Sequence, residues 1–412
     1  MREEIQLGTQ HRPPYVSGVP VKTMNIVFFT HPDFLGHVSM PRFSRMLVEG
    51  MTKRGHKATI WSPEPRFFDL RFPKAFKKWL GYIDQYIVFP FEVRNRLKLC
   101  PADTLFVFTD NALGPWVPLV SRLPHVMHCH DFMAQESALG LVPENPTGWT
   151  GRRYQKLIFR GYCKSKNFIS GSQNTKNVLE RFLTSKPTRS ELVYNGLNQS
   201  FEPIDPNHAR AIVGAETGLD LRQGYLLHVG GNQWYKNRVG IIEMYDAWRS
   251  SSTLNLPLLL IGLPPSPEVL DAYTKSPYKE NIYFFTNARD NIVQLAYSGA
   301  TVFLFPSKAE GFGWPVAEAM ASGCPVITTN EAPMTEVAGE AGFFVPRRPH
   351  EASKTAAWAV EAGKVLGKVV DLSRAERQEV IEAGLKNAKR FDTENAINKI
   401  EMIYHDILSS PR

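Results

Sequence analysis

The chain has 412 residues, enough for two or three domains of ordinary size. Hydrophobic residues make up 43% and charged residues 21%, which excludes a disordered chain, and 29 glycines with 30 prolines are too few for a collagen-like or low-complexity one. A balance of 48 basic to 40 acidic residues leaves a net charge of +8, which implies an anionic partner but does not choose among a small phosphate ligand, a membrane surface and nucleic acid.

Residues 1–23 mix charges and prolines and lack an apolar h-region, so they read as a flexible N-terminal extension and not as a signal peptide. Met24–Thr30 (MNIVFFT) is a near-continuous apolar run, as expected of a strand buried on both faces. A loop with Gly36 follows. Phe43, Leu47 and Met51 then recur at helical spacing up to Gly55, where the RGH of Arg54–His56 reads as a helix stop. Lys57–Trp61, Leu105–Phe108 and His125–Cys129 predict strands, with shorter ones at Phe168–Ser170 and Leu192–Tyr194. Helices are expected over Arg152–Lys164 and Ser172–Phe182, with Ser172 as an N-cap. The intervening stretch Arg66–Lys98 holds eight basic, three acidic and nine aromatic residues, so it carries +5 of the net +8. Within it Phe72, Phe76, Trp79, Ile83 and Tyr86 repeat at spacings of 4, 3, 4 and 3, an apolar stripe on one helix face. Such a helix either packs on its own domain or meets an anionic membrane or a lipid-linked acceptor. No nucleic-acid-binding module accompanies these residues, so nucleic acid is not an expected partner.

The Asn- and Pro-rich stretch Asn195–Asn207 reads as a linker, after which the pattern restarts. Strands are expected at Tyr225–Val229, Leu258–Ile261, Ile282–Phe285, Val302–Phe305, Val326–Thr328 and Phe343–Val345. Helices are expected at Val239–Arg249, Asp290–Ser298, Trp314–Ala321 and Ala352–Leu366. This alternation implies an α/β fold with parallel sheets and right-handed crossovers. The strands exceed the needs of one compact sheet, so the fold class is two Rossmann-like doubly wound domains, 24–203 and 204–392, facing a central cleft. Ligands of such sheets bind at the carboxyl ends of the strands. Cys100, Cys129, Cys163 and Cys324 match no zinc ribbon or redox pair and fit a reduced, cytoplasmic setting. His125, His128, Cys129, His130 and Asp131 alternate between the two faces of a strand, so no metal site is expected there. No stretch approaches 18 uninterrupted apolar residues, and no transmembrane helix is expected.

The sharpest signal is Val302–Pro346, in which a strand, a glycine loop with Glu310, Gly311, Phe312 and Gly313, and a helix from Trp314 follow in turn. Gly311 and Gly313 let backbone N–H groups come close to a ligand, and the helix N-terminus favours an anion such as a phosphate. Two carboxylates there, Glu310 and Glu318 in the first helical turn, suit sugar hydroxyls, which a carboxylate accepts as charge-assisted hydrogen bonds. EGFGWPVAE, followed by AMASGCPVI and PMTEVAGEAGFFVP, resembles the E-x7-E signature of retaining glycosyltransferases, specifically glycosyltransferase family 4 with the GT-B fold. Met24–Trp61 resembles the family's first βαβ unit, His130-Asp131 its HD pair, Tyr194–Asn198 (YNGLN) the turn before its linker, and Phe391–Leu408 its C-terminal helix.

The resemblance implies roles. Residues 393–412 would form a helix packing back on the first domain. Glu318 would bind ribose hydroxyls of a nucleotide diphosphate sugar, and Glu310 hydroxyls of its sugar, with the backbone of Gly311, Phe312 and Gly313 beside it. Val229–Arg238 (VGGNQWYKNR) is similar to the loop carrying the diphosphate-binding basic pair. Lys236 matches the lysine, while Asn232 or Gln233 occupies the region of the usual arginine and Arg238 is a candidate to replace it. Gly36 matches the glycine loop near the diphosphate, and His130 the histidine near the reacting centre. The implied activity is metal-independent, retaining hexosyl transfer to a hydroxyl acceptor, a carbohydrate or a lipid-linked one, in glycan, polysaccharide or glycolipid synthesis. Membrane contact would run through 66–98. Two alternatives share parts of this pattern: a GT-B nucleotide-sugar epimerase, and a catalytically silent carbohydrate- or membrane-binding scaffold.

Overall fold

The apolar run after Met24 forms β1 (Asn25–Phe29) of a parallel sheet in the computed structural model, which describes residues 22–36, 39–197 and 199–410. The N-terminal extension lies outside the described residues except for its last two. The sheet continues with β2 (Lys57–Trp61), β3 (Thr104–Phe108), β4 (His125–Cys129), β5 (Asn167–Ser170) and β6 (Arg189–Leu192), in spatial order β2-β1-β3-β4-β5-β6. β3 and β4 are buried at every position, which is why both, after Thr104, are runs of apolar or aromatic residues and histidine. A second parallel sheet is built from β7 (Leu226–Gly230), β8 (Leu258–Gly262), β9 (Ile282–Thr286), β10 (Val302–Phe305), β11 (Val326–Thr329) and β12 (Phe343–Val345), in order β12-β11-β10-β7-β8-β9. Helices cover both faces of each sheet. Winding reverses between β1 and β3 in the first sheet and between β7 and β10 in the second, and a crevice opens at each reversal.

The closing helix, Thr393–Ser409, returns to the first sheet. Its Ala396, Ile397, Ile400, Tyr404 and Ile407 share one core with Phe43, Leu47 and Met51. Several expected elements differ from those observed. The strand expected at Leu192–Tyr194 lies at Arg189–Leu192 instead, because this edge strand is only half-buried and its RSEL sequence shows no apolar run. The supposed linker ends in a helix, Pro206–Thr217, whose Asp205 side chain caps the His208 N–H at 2.8 Å. Helices at Pro267–Lys275 and Arg374–Ala388 add to the expected set, the latter opened by a Ser373–Glu376 capping box.

The stripe in 66–98 is not one helix face. Lys74–Ile83 is α-helical, Asp84–Val88 forms a π-turn, and Phe89–Leu97 is again α-helical. Phe76 and Trp79, in the first of these helices, stand more than half exposed, while Ile83 at its end and Tyr86 in the π-turn are half-buried. Phe72 precedes the helix and is equally exposed.

Candidate functional site

β7 and β10 are neighbours across the second domain's reversal, so the loops leaving them meet although their residues lie 74 apart in sequence. Asn237, held in the left-handed region at φ 54°, donates its side-chain N–H to the Pro306 carbonyl at 2.8 Å and pins one loop to the other. Lys236 Nζ then bonds Glu310 Oε1 at 2.8 Å, with the two side chains 14% and 9% exposed. The ammonium also sits 4.8 Å from the Phe305 ring centre, a cation–π contact. Gly313 adopts φ 99° to turn the chain into the helix Trp314–Ala321. Gly311 allows a closer approach: a Cβ there would lie 2.3 Å from the His130 carbonyl oxygen. Its own carbonyl accepts from Ser172 Oγ at 2.7 Å and Thr175 Oγ1 at 3.2 Å. Phe312 is buried against Phe391 and Trp314, so its side chain serves the core and only its backbone faces the loop. Glu318 lies just past the first helical turn and accepts the Tyr297 hydroxyl at 3.0 Å. Burial pushes the Glu318 carboxyl up to about 7 against the opposing pull of that hydroxyl, Arg42 and Lys236.

His130 follows β4 on the first domain, buried edge-on against Phe43 at 4.4 Å and tilted over Trp314 at 6.3 Å. Its Nε2 lies 2.9 Å from the Thr109 carbonyl, an acceptor only, so Nε2 carries the proton and Nδ1 is left as an acceptor. That Nδ1 is buried and has no partner among the described residues. Burial keeps the ring neutral by lowering its pKa, against the Asp110 charge. Burial, aided by the charges of Asp110 and Glu310, pushes the neighbouring Asp131 carboxyl up to about 7. Between the domains lies a cleft of about 310 Å³ whose walls include Asp131, Glu136, Trp234, Lys308, Glu310 and Arg347.

Lys236, Glu310, Gly311 and His130 are thus brought together, with Glu318 close enough to feel Lys236. Arg238 points away from the Lys236–Glu310 pair. Gly36 ends a 3-10 turn at φ 68°, with nothing within 4 Å of a built Cβ. Arg238 is 3% exposed and donates Nη1 to Asn232 Oδ1 and the Leu263 carbonyl, with its guanidinium over the Phe284 ring at 5.5 Å. It therefore faces the ends of β8 and β9, and burial lowers its pKa to about 10. Sequence reading missed Tyr297, Arg42 and the Arg42–Asp290 pair at 3.1 Å, which crosses the domains over 248 residues. No local pattern marks such a contact.

Two family models match, one on each domain: Glycosyltransferase Family 4 over residues 40–201 and Glycosyl transferases group 1 over residues 213–377. The chain belongs to glycosyltransferase family 4. Among curated relatives, the O-antigen chain mannosyltransferase B of Escherichia coli is 30% identical over 42% of this chain and 43% of its own length. The O-antigen chain mannosyltransferase RfbU of Salmonella typhimurium is 24% identical over 46% and 51%. The chain therefore spans about half the length of the curated relatives it matches. HepE of Anabaena, solved in complex with UDP and glucose, superposes with a TM-score of 0.67 at 16% identity, over 93% of this chain and 100% of that one. The likeness identifies the fold of this family 4 chain as GT-B.

Proposed function

We propose that the protein transfers a hexose, with retention, from a nucleotide diphosphate sugar to the hydroxyl of a carbohydrate or lipid-linked acceptor in polysaccharide synthesis. The observation that carries this reading is the Lys236–Glu310 pair at the second domain's reversal, with Glu318 beside it. Breaking the anomeric C–O bond places negative charge on the departing diphosphate. A fixed cation stabilises that charge where it develops, often the largest single contribution to catalysis. Lys236 supplies it without a metal. Glu310, already in contact with Lys236, accepts sugar hydroxyls, and the unpartnered Nδ1 of His130 accepts another. Glu318 accepts ribose hydroxyls one helical turn away. The diphosphate itself takes the acceptor's proton on the same face, which gives retention. The names of the two curated relatives favour mannose as the hexose and an O-antigen-like polysaccharide as the product. Four free cysteines suit a cytoplasmic setting, and the exposed Phe72, Phe76 and Trp79 beside Lys78 suit peripheral contact with a membrane.

A panel of nucleotide sugars tests the reading by thermal shift and calorimetry. A ligand that binds only the folded state raises its stability once in excess of its dissociation constant, so the true donor stands out. A panel in which none binds would remove the donor and with it the proposal. Turnover that yields an isomerised nucleotide sugar in place of a glycoside would favour an epimerase.

A further inference from the structure

The Lys236–Glu310 pair lies beyond the carboxyl ends of the second sheet. At the opposite ends, where β7, β8, β10 and β11 begin, is a cavity of about 470 Å³. Gln223 lines it ahead of β7, Leu254 ahead of β8, Thr301 ahead of β10 and Pro325 ahead of β11. The helices Pro206–Thr217 and Arg374–Ala388 each add one arginine to its wall, Arg210 and Arg377. The length of β10 separates this cavity from the donor loop, since Thr301 precedes the strand and Glu310 follows it.

Both arginines are half-buried, and neither pairs with a carboxylate among the described residues. Arg210 donates Nε to the Gly299 carbonyl at 2.8 Å. Arg377 donates Nη1 to the Thr301 carbonyl at 2.7 Å, and Nη2 to the Val369 and Val370 carbonyls at 2.8 and 3.4 Å. A guanidinium has five N–H donors, so each arginine retains some for a ligand. Burial lowers the Arg377 pKa, and the Arg210 charge lowers it further against an opposing pull from Cys324. Beside the arginines, Thr301 is 8% exposed and its hydroxyl has no partner among the described residues. Thr301 Oγ1 and Arg210 Nη2 both lie within 3.2 Å of where a Cβ on Gly224 would stand, so hydroxyl and guanidinium share space that a side chain would fill. Among the described residues no aspartate or glutamate lines the cavity.

We propose that this cavity binds a sugar phosphate, with the phosphate between Arg210 and Arg377 and the sugar toward Gln223 and Thr253. A phosphate monoester carries a charge of about −1.5 to −2 at pH 7 and so matches two guanidiniums, whereas one carboxylate would leave a positive charge over. The planar guanidinium also donates two parallel bonds to phosphate oxygens. The Thr301 hydroxyl, enclosed beside Arg210, lacks the acceptor that such an anion supplies. Inorganic phosphate alone would leave most of the cavity empty. Gln223 and Thr253, exposed at the rim, offer an amide and a hydroxyl to sugar hydroxyls. No aromatic ring lines the walls among the described residues, so a nucleobase has nothing to stack on.

Calorimetry on the whole chain tests this with the 1- and 6-phosphates of mannose and glucose, against mannose, inorganic phosphate and adenosine monophosphate. The best sugar phosphate should bind at least about tenfold more tightly than any of the three controls. Lys236→Ala, which alters the donor loop, should leave that affinity unchanged. Arg210→Met should weaken it about tenfold or more, the scale of a lost hydrogen bond to a charged group. Leu254→Glu should weaken it as much without disturbing the core, because Leu254 is 43% exposed and the new carboxylate would stand at the mouth of the cavity. Equal melting temperatures exclude unfolding, and if Arg210→Met melts early, Leu254→Glu decides. The proposal is overturned if no sugar phosphate binds, if a control binds as tightly, if Lys236→Ala abolishes binding, or if Leu254→Glu binds like wild type.

Discussion

At the scale of single residues, the proposed ribose contact of Glu318 should couple donor binding to pH. Its carboxyl titrates near 7 when folded against a reference of 4.5, mainly because burial disfavours the charge. The sign follows directly. Between those values the folded enzyme holds a proton that the unfolded chain has released, so this group's contribution to stability is greatest below about 4.5 and is lost as pH rises through 7. Ribose hydroxyls donating to Glu318 favour its ionised form. Binding of nucleotide diphosphate near pH 6.5 should therefore release a proton, and affinity should rise with pH to a plateau above about 7. Calorimetry in two buffers of different ionisation heat measures the release. Asp131 has a similar value but faces Asp110, Glu136 and Glu310, so Asp131→Asn should keep most of the release while Glu318→Gln abolishes it and weakens binding. Equal release from wild type and Glu318→Gln would refute the ribose role. Glu310, Glu318, Lys236 and His130 could be picked out of the sequence because each sits in a short local pattern. Tyr297 could not, since its hydroxyl meets Glu318 only when two helices pack together.

At the scale of elements, the closing helix Thr393–Ser409 binds the last residues of the chain to the first domain. Its apolar positions recur at helical spacing, and Asp392 caps it by accepting the Asn395 N–H at 2.8 Å. Tyr404 meets His128 of β4 at 2.8 Å. The Met24 N–H donates to His56 Nδ1, so His56 Nε2 carries the proton that it gives to Glu401 at 2.7 Å. The RGH of Arg54–His56 is thus more than a helix stop: Arg54 also pairs with Glu394 and Glu401 of this helix. Ile397 is 1% exposed in the shared core. Ile397→Ala should lower unfolding free energy by about 2–4 kcal/mol, the usual cost of such a cavity, seen as a lower urea midpoint at unchanged slope. A shift within error would mean that the helix docks loosely. Most sheet strands were legible for the reason this helix was, a strong apolar pattern over a buried face. β6 was not, because an edge strand needs only half that pattern. The π-turn at Asp84–Val88 was not either, because spacings of 3 and 4 continue through it in sequence while the backbone widens.

At the scale of the whole molecule, the two domains touch through bonds that must break if the cleft opens. Glu336 of the second domain accepts the backbone N–H groups of Gln173 and Asn174 at 2.5 and 3.2 Å. These N–H groups are at the start of the helix Gln173–Phe182, where an intrahelical partner is lacking and the dipole favours a negative charge. Arg42 meets Asp290 on one side of the cleft, and Arg347 meets Glu144 at 2.8 Å on the other. Ser172 and Thr175 hold the Gly311 carbonyl in the loop that carries Glu310. The described arrangement is therefore a closed one, in which the loop carrying Glu310 is held by the other domain. Closure of this kind assembles the site and shuts out water. Among these contacts Glu336 is the most separable, because it lies outside the loop that carries Glu310 and outside the walls of the interdomain cleft. Glu336→Gln keeps the size and one acceptor but removes the charge, which should weaken closure by about 1 kcal/mol, the scale of a charge at a helix N-terminus. The open fraction should then rise several-fold. Small-angle scattering should show a larger radius of gyration without donor, returning toward the wild-type value when donor is added. The KM for donor should rise, because part of its binding energy is spent on closing the domains, while the rate of the closed complex stays near wild type. Identical scattering and KM for Glu336→Gln would show that the remaining ion pairs and the Gly311 contacts hold the domains together without it.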